Sequence, residues 1–134
     1  MRVLILGCGR LGALLAELMD QAGHEVTVID PRPDAFSRLS PTFGGSAVVG
    51  VGIDEDVLRR AGIERADAFV AVSDGDNTNV MACQVAKHIF HVPRVISQIK
   101  DPGRRDIFTT LELDTICPTI LGAEAFKQEL LRED

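Results

Sequence analysis

The residues best able to do chemistry stand at the very start of the chain. Gly7-Cys8-Gly9-Arg10-Leu11-Gly12 has the spacing G-x-G-x-x-G, and Asp30 follows 18 positions after Gly12. The chemistry this set supports is the holding of a nucleotide. Gly7 permits a tight turn out of a strand, Gly9 lets backbone approach a pyrophosphate, and Gly12 lets a helix pack closely. The free N–H groups at the helix start, with the positive end of its dipole, suit phosphates. A carboxylate about 20 residues further on accepts hydrogen bonds from ribose hydroxyls and repels a 2′-phosphate. Such a site favours NAD, NADH or a plain adenine nucleotide (ATP, ADP or AMP) over NADP. Pro31 and Arg32 follow Asp30 directly. Arg32 is able to pair with a 2′-phosphate, and Asp30 beside Pro31 is also able to act simply as a strand-end cap.

These residues need elements to hold them. Val3 to Leu6 is a continuous apolar run, as in a strand buried on both faces. Leu11, Leu14, Leu15, Leu18, Met19 and Ala22 then recur at the spacing of one helix face, and Gly23 ends that helix. Glu25 to Ile29 reads as a second strand closing on Asp30. Pro33 to Leu39 reads as a short helix, Ala47 to Gly50 as a third strand, and Glu55 to Ala61 as a helix capped by Asp54. Ala68 to Val72 is a fourth strand. Ser73-Asp74-Gly75-Asp76-Asn77 starts a long helix to about Phe90, with Asp74 and Asp76 as N-terminal caps in preference to a metal site. Val80, Met81, Ala82, Cys83, Val85, Ala86 and Ile89 supply the apolar face of that helix. Arg94 to Ile99 is a fifth strand, Pro102 opens a helix to about Leu111, Asp114 to Cys117 is a sixth strand, and a last helix starts at Thr119.

Six alternations of strand and helix predict an α/β fold, a doubly wound parallel six-stranded Rossmann sheet of order 3-2-1-4-5-6. The carboxyl edge of such a sheet collects Gly7 to Gly12, Asp30, then Gly50, Val51 and Gly52, then Ser73, Asp74 and Gly75. No His, Lys or Tyr is expected on that edge, which leaves an NAD-dependent oxidoreductase without a proton donor.

Composition narrows the function further. The 134 residues suit one domain with an aliphatic core, since there are six Phe and neither Trp nor Tyr. A net charge of −6 argues against a nucleic-acid partner. No apolar run approaches the roughly 20 residues that span a bilayer, and Met1-Arg2 leads straight into a strand, so neither direct membrane insertion nor a signal peptide is expected. Cys8, Cys83 and Cys117 lie far apart with no metal-like spacing. Cys8, at a helix N-terminus, is in a position that can lower a thiol pKa, although a small residue filling a tight loop explains it as well. His24, His88 and His91 form no ligand cluster, and no metal is expected.

Taken together, the motifs resemble the Trk-type N-terminal domain, also called the KTN or RCK domain, of potassium-transport regulators. The carriers are the Arg10 form of the first loop, Ile29-Asp30, the segment Gly50-Val51-Gly52-Ile53-Asp54 with Leu58 and Ala61-Gly62-Ile63, the run Ala66 to Asp74 with Asn79, Val92-Pro93-Arg94-Val95-Ile96, and Asp101-Pro102. The resemblance covers essentially the whole chain. It implies a cytoplasmic nucleotide-binding regulator, Arg10 on a phosphate, a homo-oligomeric ring built from dimers, and a membrane potassium channel or transporter as partner, with a second subunit of the same type as a further candidate. Three positions depart from the family pattern. Val51 replaces an acidic residue near the adenine, Ile53 a hydroxyl residue, and Gln98 a basic residue that reaches phosphate. A lost charged partner costs on the order of 1–3 kcal/mol, so weaker affinity or altered nucleotide preference is implied. Family members often continue into a smaller C-terminal lobe, which this sequence lacks. The last helix, with Phe126, Leu130 and Leu131, is then either a dimer-forming element or a helix packed on the sheet. A structural ring subunit that binds nothing is the remaining alternative.

Overall fold

The computed structural model describes residues 1–133, with Ile107 by its backbone only. β1 (Arg2–Leu6) lies at the centre of a six-stranded sheet of order β3-β2-β1-β4-β5-β6, with β2 (Glu25–Asp30), β3 (Ser46–Val49), β4 (Ala68–Ala71), β5 (Arg94–Gln98) and β6 (Asp114–Ile116). Every pairing is parallel. Leu6 at the end of β1 faces Ile29 on one side and Ala71 on the other, so the chain leaves three neighbouring strands at one level. This is the expected Rossmann order, and it leaves a crevice where β1 and β4 send their connections to opposite faces.

Alternation along β1 feeds two cores. Leu4 and Leu6 join Ile29, Leu58, Ile63 and Phe69 on one face, under α2 (Glu55–Arg60) and α3 (Asp76–His88). Val3 and Ile5 join Val26, Val28, Ala13 and Ala16 on the other, under α1 (Arg10–Gln21). Both faces of the strand are covered, which is why its sequence is continuously apolar.

The helices correct the expected packing in three places. The buried residues of α1 are Gly12, Ala13 and Ala16, whereas Leu11, Leu14 and Leu18 are exposed, Leu14 by 55% and Leu18 by 54%. Small residues let the helix axis lie close to the sheet, and this pushes the leucines to its flank. Met81 in α3 and Ile89 just past its end are likewise exposed, while Asn79 is fully buried beside Val80, Ala82, Cys83 and Ala86. After the short α4 (Arg105–Thr109) and β6, no residue of α5 (Pro118–Leu130) is buried. Phe126 is 74% and Leu130 81% exposed. The C-terminal half of this last helix, residues 123–130, is exposed throughout and does not pack on its own sheet.

Local signals at helix ends are borne out more closely. Asp54 caps α2 by accepting the Asp56 N–H at 2.9 Å. Asp54→Ala is expected to cost about 1 kcal/mol, as removal of an N-cap acceptor does, seen as a lower urea midpoint at unchanged slope. The short helix expected after β2 is a 3-10 helix, Pro33–Arg38. Among the described residues no helix is long and apolar enough to cross a membrane, and no group of three or more His, Cys, Asp or Glu is arranged to hold a metal ion.

Candidate nucleotide site

The site grows from the turn out of β1. Gly7 has φ +107, a left-handed conformation that favours glycine, and its N–H donates to Ile29 O at 2.7 Å. Gly12 faces it: a Cβ there would lie 1.9 Å from Gly7 O. The helix start is thus clamped onto the loop. A Cβ on Gly9 would meet no protein atom within 4 Å. What the missing side chain keeps clear is the cleft that Gly9 lines, the room a pyrophosphate needs. Gly9 is the N-cap of α1, which starts without a side-chain cap, so donors at the helix start remain for an anion.

Asp30 ties this loop to β2. Its Oδ2 accepts the Cys8 N–H at 2.9 Å and its Oδ1 accepts the Arg32 N–H at 2.9 Å. Strand-end capping and ribose contact are therefore compatible roles, since each carboxylate oxygen retains a lone pair. Cys8 is fully buried, and burial, then the nearby Asp30 carboxylate, pushes its thiol pKa up. The helix start does not activate it, and filling a tight loop is its role.

The cleft along these residues has a volume of about 380 Å³. Of the expected residues, it is lined by Gly7, Cys8, Gly9, Asp30, Pro31, Arg32, Val51, Gly52, Ser73 and Asp74. Arg10 does not line it; together with Ala13, Leu14, Glu17 and Arg38 it borders a neighbouring groove along α1. Leu11 is exposed on the flank of α1, and Gly12 is packed on Gly7. Gly50 donates its N–H to Asp30 O at 3.1 Å and leaves no space for a Cβ against Val57. Gly75 is the backbone N-cap of α3. Leu11, Gly12, Gly50 and Gly75 shape the site without lining it.

Three polar residues, Arg38, Thr78 and Lys100, carry no signal in the sequence, and Asn79 and Gln98 take structural roles that the motifs do not indicate. Arg38 and Thr78 line the cleft. Asn79 is buried and accepts from Ser73 N and Ser73 Oγ at 2.9 and 2.6 Å, while its amide donates to Ser73 O and Gln98 O at 3.1 and 3.3 Å. Gln98 donates to the same Ser73 O at 3.2 Å, so its amide braces the edge from below. Lys100 stands two residues past the end of β5, which corrects the expectation of no lysine on this edge, and its Nζ lies 2.8 Å from Asp74 Oδ1. Asp76 is not a cap either; its carboxylate accepts the Lys100 and Asp101 N–H groups. The expected capping run thus ties the loop before α3 to the loop after β5. Hydrogen bonding and charge from Lys100 hold the Asp74 carboxyl below the usual range. Lys100→Met is expected to raise that pKa toward its ordinary value, readable from the Asp74 carboxyl carbon in an NMR titration. An unmoved titration midpoint would show that the pair does not persist in solution.

Comparison with known proteins agrees with this fold. The TrkA-N domain family model matches residues 3–119. The Trk system potassium uptake protein TrkA of Streptomyces coelicolor is 45% identical over 131 residues, covering 98% of this chain and 59% of that protein. The chain therefore spans less than two thirds of that relative. Among solved structures, the Kef CTD of Shewanella denitrificans in an AMP-bound form superposes with a TM-score of 0.86 at 19% identity, over 98% of this chain and 80% of that one. GsuK bound to ADP gives a TM-score of 0.81 at 23% identity, over 97% of this chain and 34% of that one.

Proposed function

The chain belongs to the TrkA-N domain family, and from that premise we propose that it is a nucleotide-binding regulatory domain that gates a potassium channel or transporter from the cytoplasmic side. The observation that carries the reading is the cleft at the β1–β4 switch point, with Gly9 opening it at an uncapped helix start and Asp30 fixed at the end of β2. The ligand is NAD, NADH, ATP, ADP or AMP. AMP and ADP in the structural neighbours support an adenine nucleotide. The glycine loop takes the phosphates, Asp30 the ribose, and Val51 and Gly52 flank the base. The residues act by binding and orienting, and no bond is made or broken.

Residues 1–134 act in this reading as one domain, and its partner in the assembly is a second copy. Support comes from α5, whose Leu121, Phe126 and Leu130 are exposed among the described residues. Neighbouring copies in a ring would change their mutual angle with the ligand, and gating follows only if the ring's two states differ in affinity for it.

Calorimetric titration with NAD, NADH, ATP, ADP, AMP and NADPH, with molecular size measured in parallel, tests the proposal. Saturable binding of one adenine ligand by a dimer or larger assembly supports it. A protein that binds none of them is a structural subunit, and one that stays monomeric with and without ligand is not a ring element. Asp30→Ala is expected to weaken nucleotide binding about tenfold or more, the worth of a charge-assisted hydrogen bond in a partly buried site. Unchanged affinity in a folded variant would remove Asp30 from the site.

A further inference from the structure

Four charged side chains line the cleft: Asp30, Asp74, Arg32 and Arg38. The two carboxylates already have partners. Asp74 pairs with Lys100, and both oxygens of Asp30 accept backbone N–H groups. Neither guanidinium forms an ion pair among the described residues. A protein of net charge −6 thus keeps a cleft whose uncompensated charge is positive, an arrangement suited to an anionic ligand.

Arg38 is the better placed of the two. It is the last residue of the 3-10 turn after β2, and its Nη1 reaches Cys8 O in the glycine loop at 3.4 Å. It borders both the cleft and the groove along α1. A guanidinium carries five N–H donors in a planar fork, and one long bond to a carbonyl uses little of that capacity. The fork matches a phosphate bidentately, which a lysine does not.

On the basis of the nucleotide reading above, we infer that Arg38 holds a phosphate group of the bound nucleotide beside the glycine loop. No motif marks this residue. The guanidinium turns from the Cys8 carbonyl onto the anion, and Arg10, on the groove side of α1, does not replace it. The phosphate is either the 5′-phosphate lying over the glycine loop or a 2′-phosphate on the ribose beside Asp30. In the second case the site admits the 2′-phosphorylated dinucleotide that Asp30 alone would repel.

Titration of the wild-type protein and Arg38→Gln with adenosine, 5′-AMP and 2′-AMP tests the inference. Arg38 is exposed at a turn end, and a thermal melt checks that the variant stays folded. The expected result is unchanged affinity for adenosine with an about tenfold loss for one of the two phosphates. The phosphate that loses affinity is the one Arg38 holds. Equal affinities for all three, or an equal loss that includes adenosine, would overturn the inference and leave Arg38 as a brace for the Cys8 carbonyl. Wild-type protein that binds none of the three overturns the inference, whereas only failure with NAD, NADH, ATP and ADP as well overturns the nucleotide reading itself, and both failures are visible before the variant is made.

Discussion

Gly12→Ala is expected to destabilise the protein by about 3 kcal/mol or more and to abolish nucleotide binding in whatever folded fraction remains. Inserting atoms into a packed region costs typically 1–3 kcal/mol and more where nothing can yield. Here the obstacle is backbone. The added Cβ would lie 1.9 Å from Gly7 O and 2.9 Å from Gly7 C. Gly7 cannot retreat easily, because its N–H is bonded to Ile29 O and its other side abuts Ser73 and Val72. Relief requires α1 to lift from the loop, which pulls the buried Ala13 and Ala16 off the sheet. Chemical denaturation gives the stability, and titration with an adenine nucleotide gives the binding. Gly9→Ala is the control, since its Cβ meets no protein atom. It is expected to keep the stability of the parent and to lose affinity. A Gly12→Ala protein with a native denaturation midpoint would mean that loop and helix are less tightly clamped than these distances state.

The contrast between these two glycines shows how far the sequence carries. The spacing of Gly7, Gly9 and Gly12 with Asp30 points to the strand–turn–helix and to the carboxyl edge, because each glycine answers a local backbone demand. Strand order was legible for the same reason: six alternations of local pattern leave few ways to wind a parallel sheet. The leucines of α1 were misread because periodicity reports an apolar face but not its phase against the sheet. Gly12, Ala13 and Ala16 allow a closer approach than Leu11, Leu14 and Leu18 would, and close approach decided the outcome. Arg38 carries no local signal at all. It reaches Cys8 O across 30 residues of sequence, and only the fold brings the two together. Asp76 gave a true signal, a side chain ready to accept N–H groups, but the groups it accepts belong to Lys100 and Asp101 in another loop.

Asn79 combines both kinds of difficulty, and its replacement has the second large expected effect. Asn79→Ala is expected to cost about 3 kcal/mol, since each buried backbone group left unpaired costs about 1–3 kcal/mol. The amide is fully buried on α3 and joins the end of β4 to the end of β5 through Ser73 and Gln98. Without it, the Ser73 N–H has no acceptor from Asn79, and Gln98 O loses its Nδ2 donor. Ser73 O keeps one donor, the Gln98 amide, and Gln98 O keeps the Ser97 hydroxyl, so the loss is partial at both carbonyls and falls mainly on the Ser73 N–H. Asn79→Asp separates geometry from polarity. It keeps the shape and an acceptor for Ser73, but it turns an oxygen toward Ser73 O and Gln98 O, where the amide donated. A buried charge facing two carbonyls is expected to destabilise at least as much as alanine does at neutral pH. Urea denaturation of the three proteins decides the point. An aspartate variant as stable as the parent would show that only the bonds to Ser73 N and Oγ hold this edge. An alanine variant of native stability would show that water replaces the amide. The loop that carries Ser73 and Asp74 into the cleft would then depend on the Lys100–Asp74 and Asp76 contacts alone, outside the core.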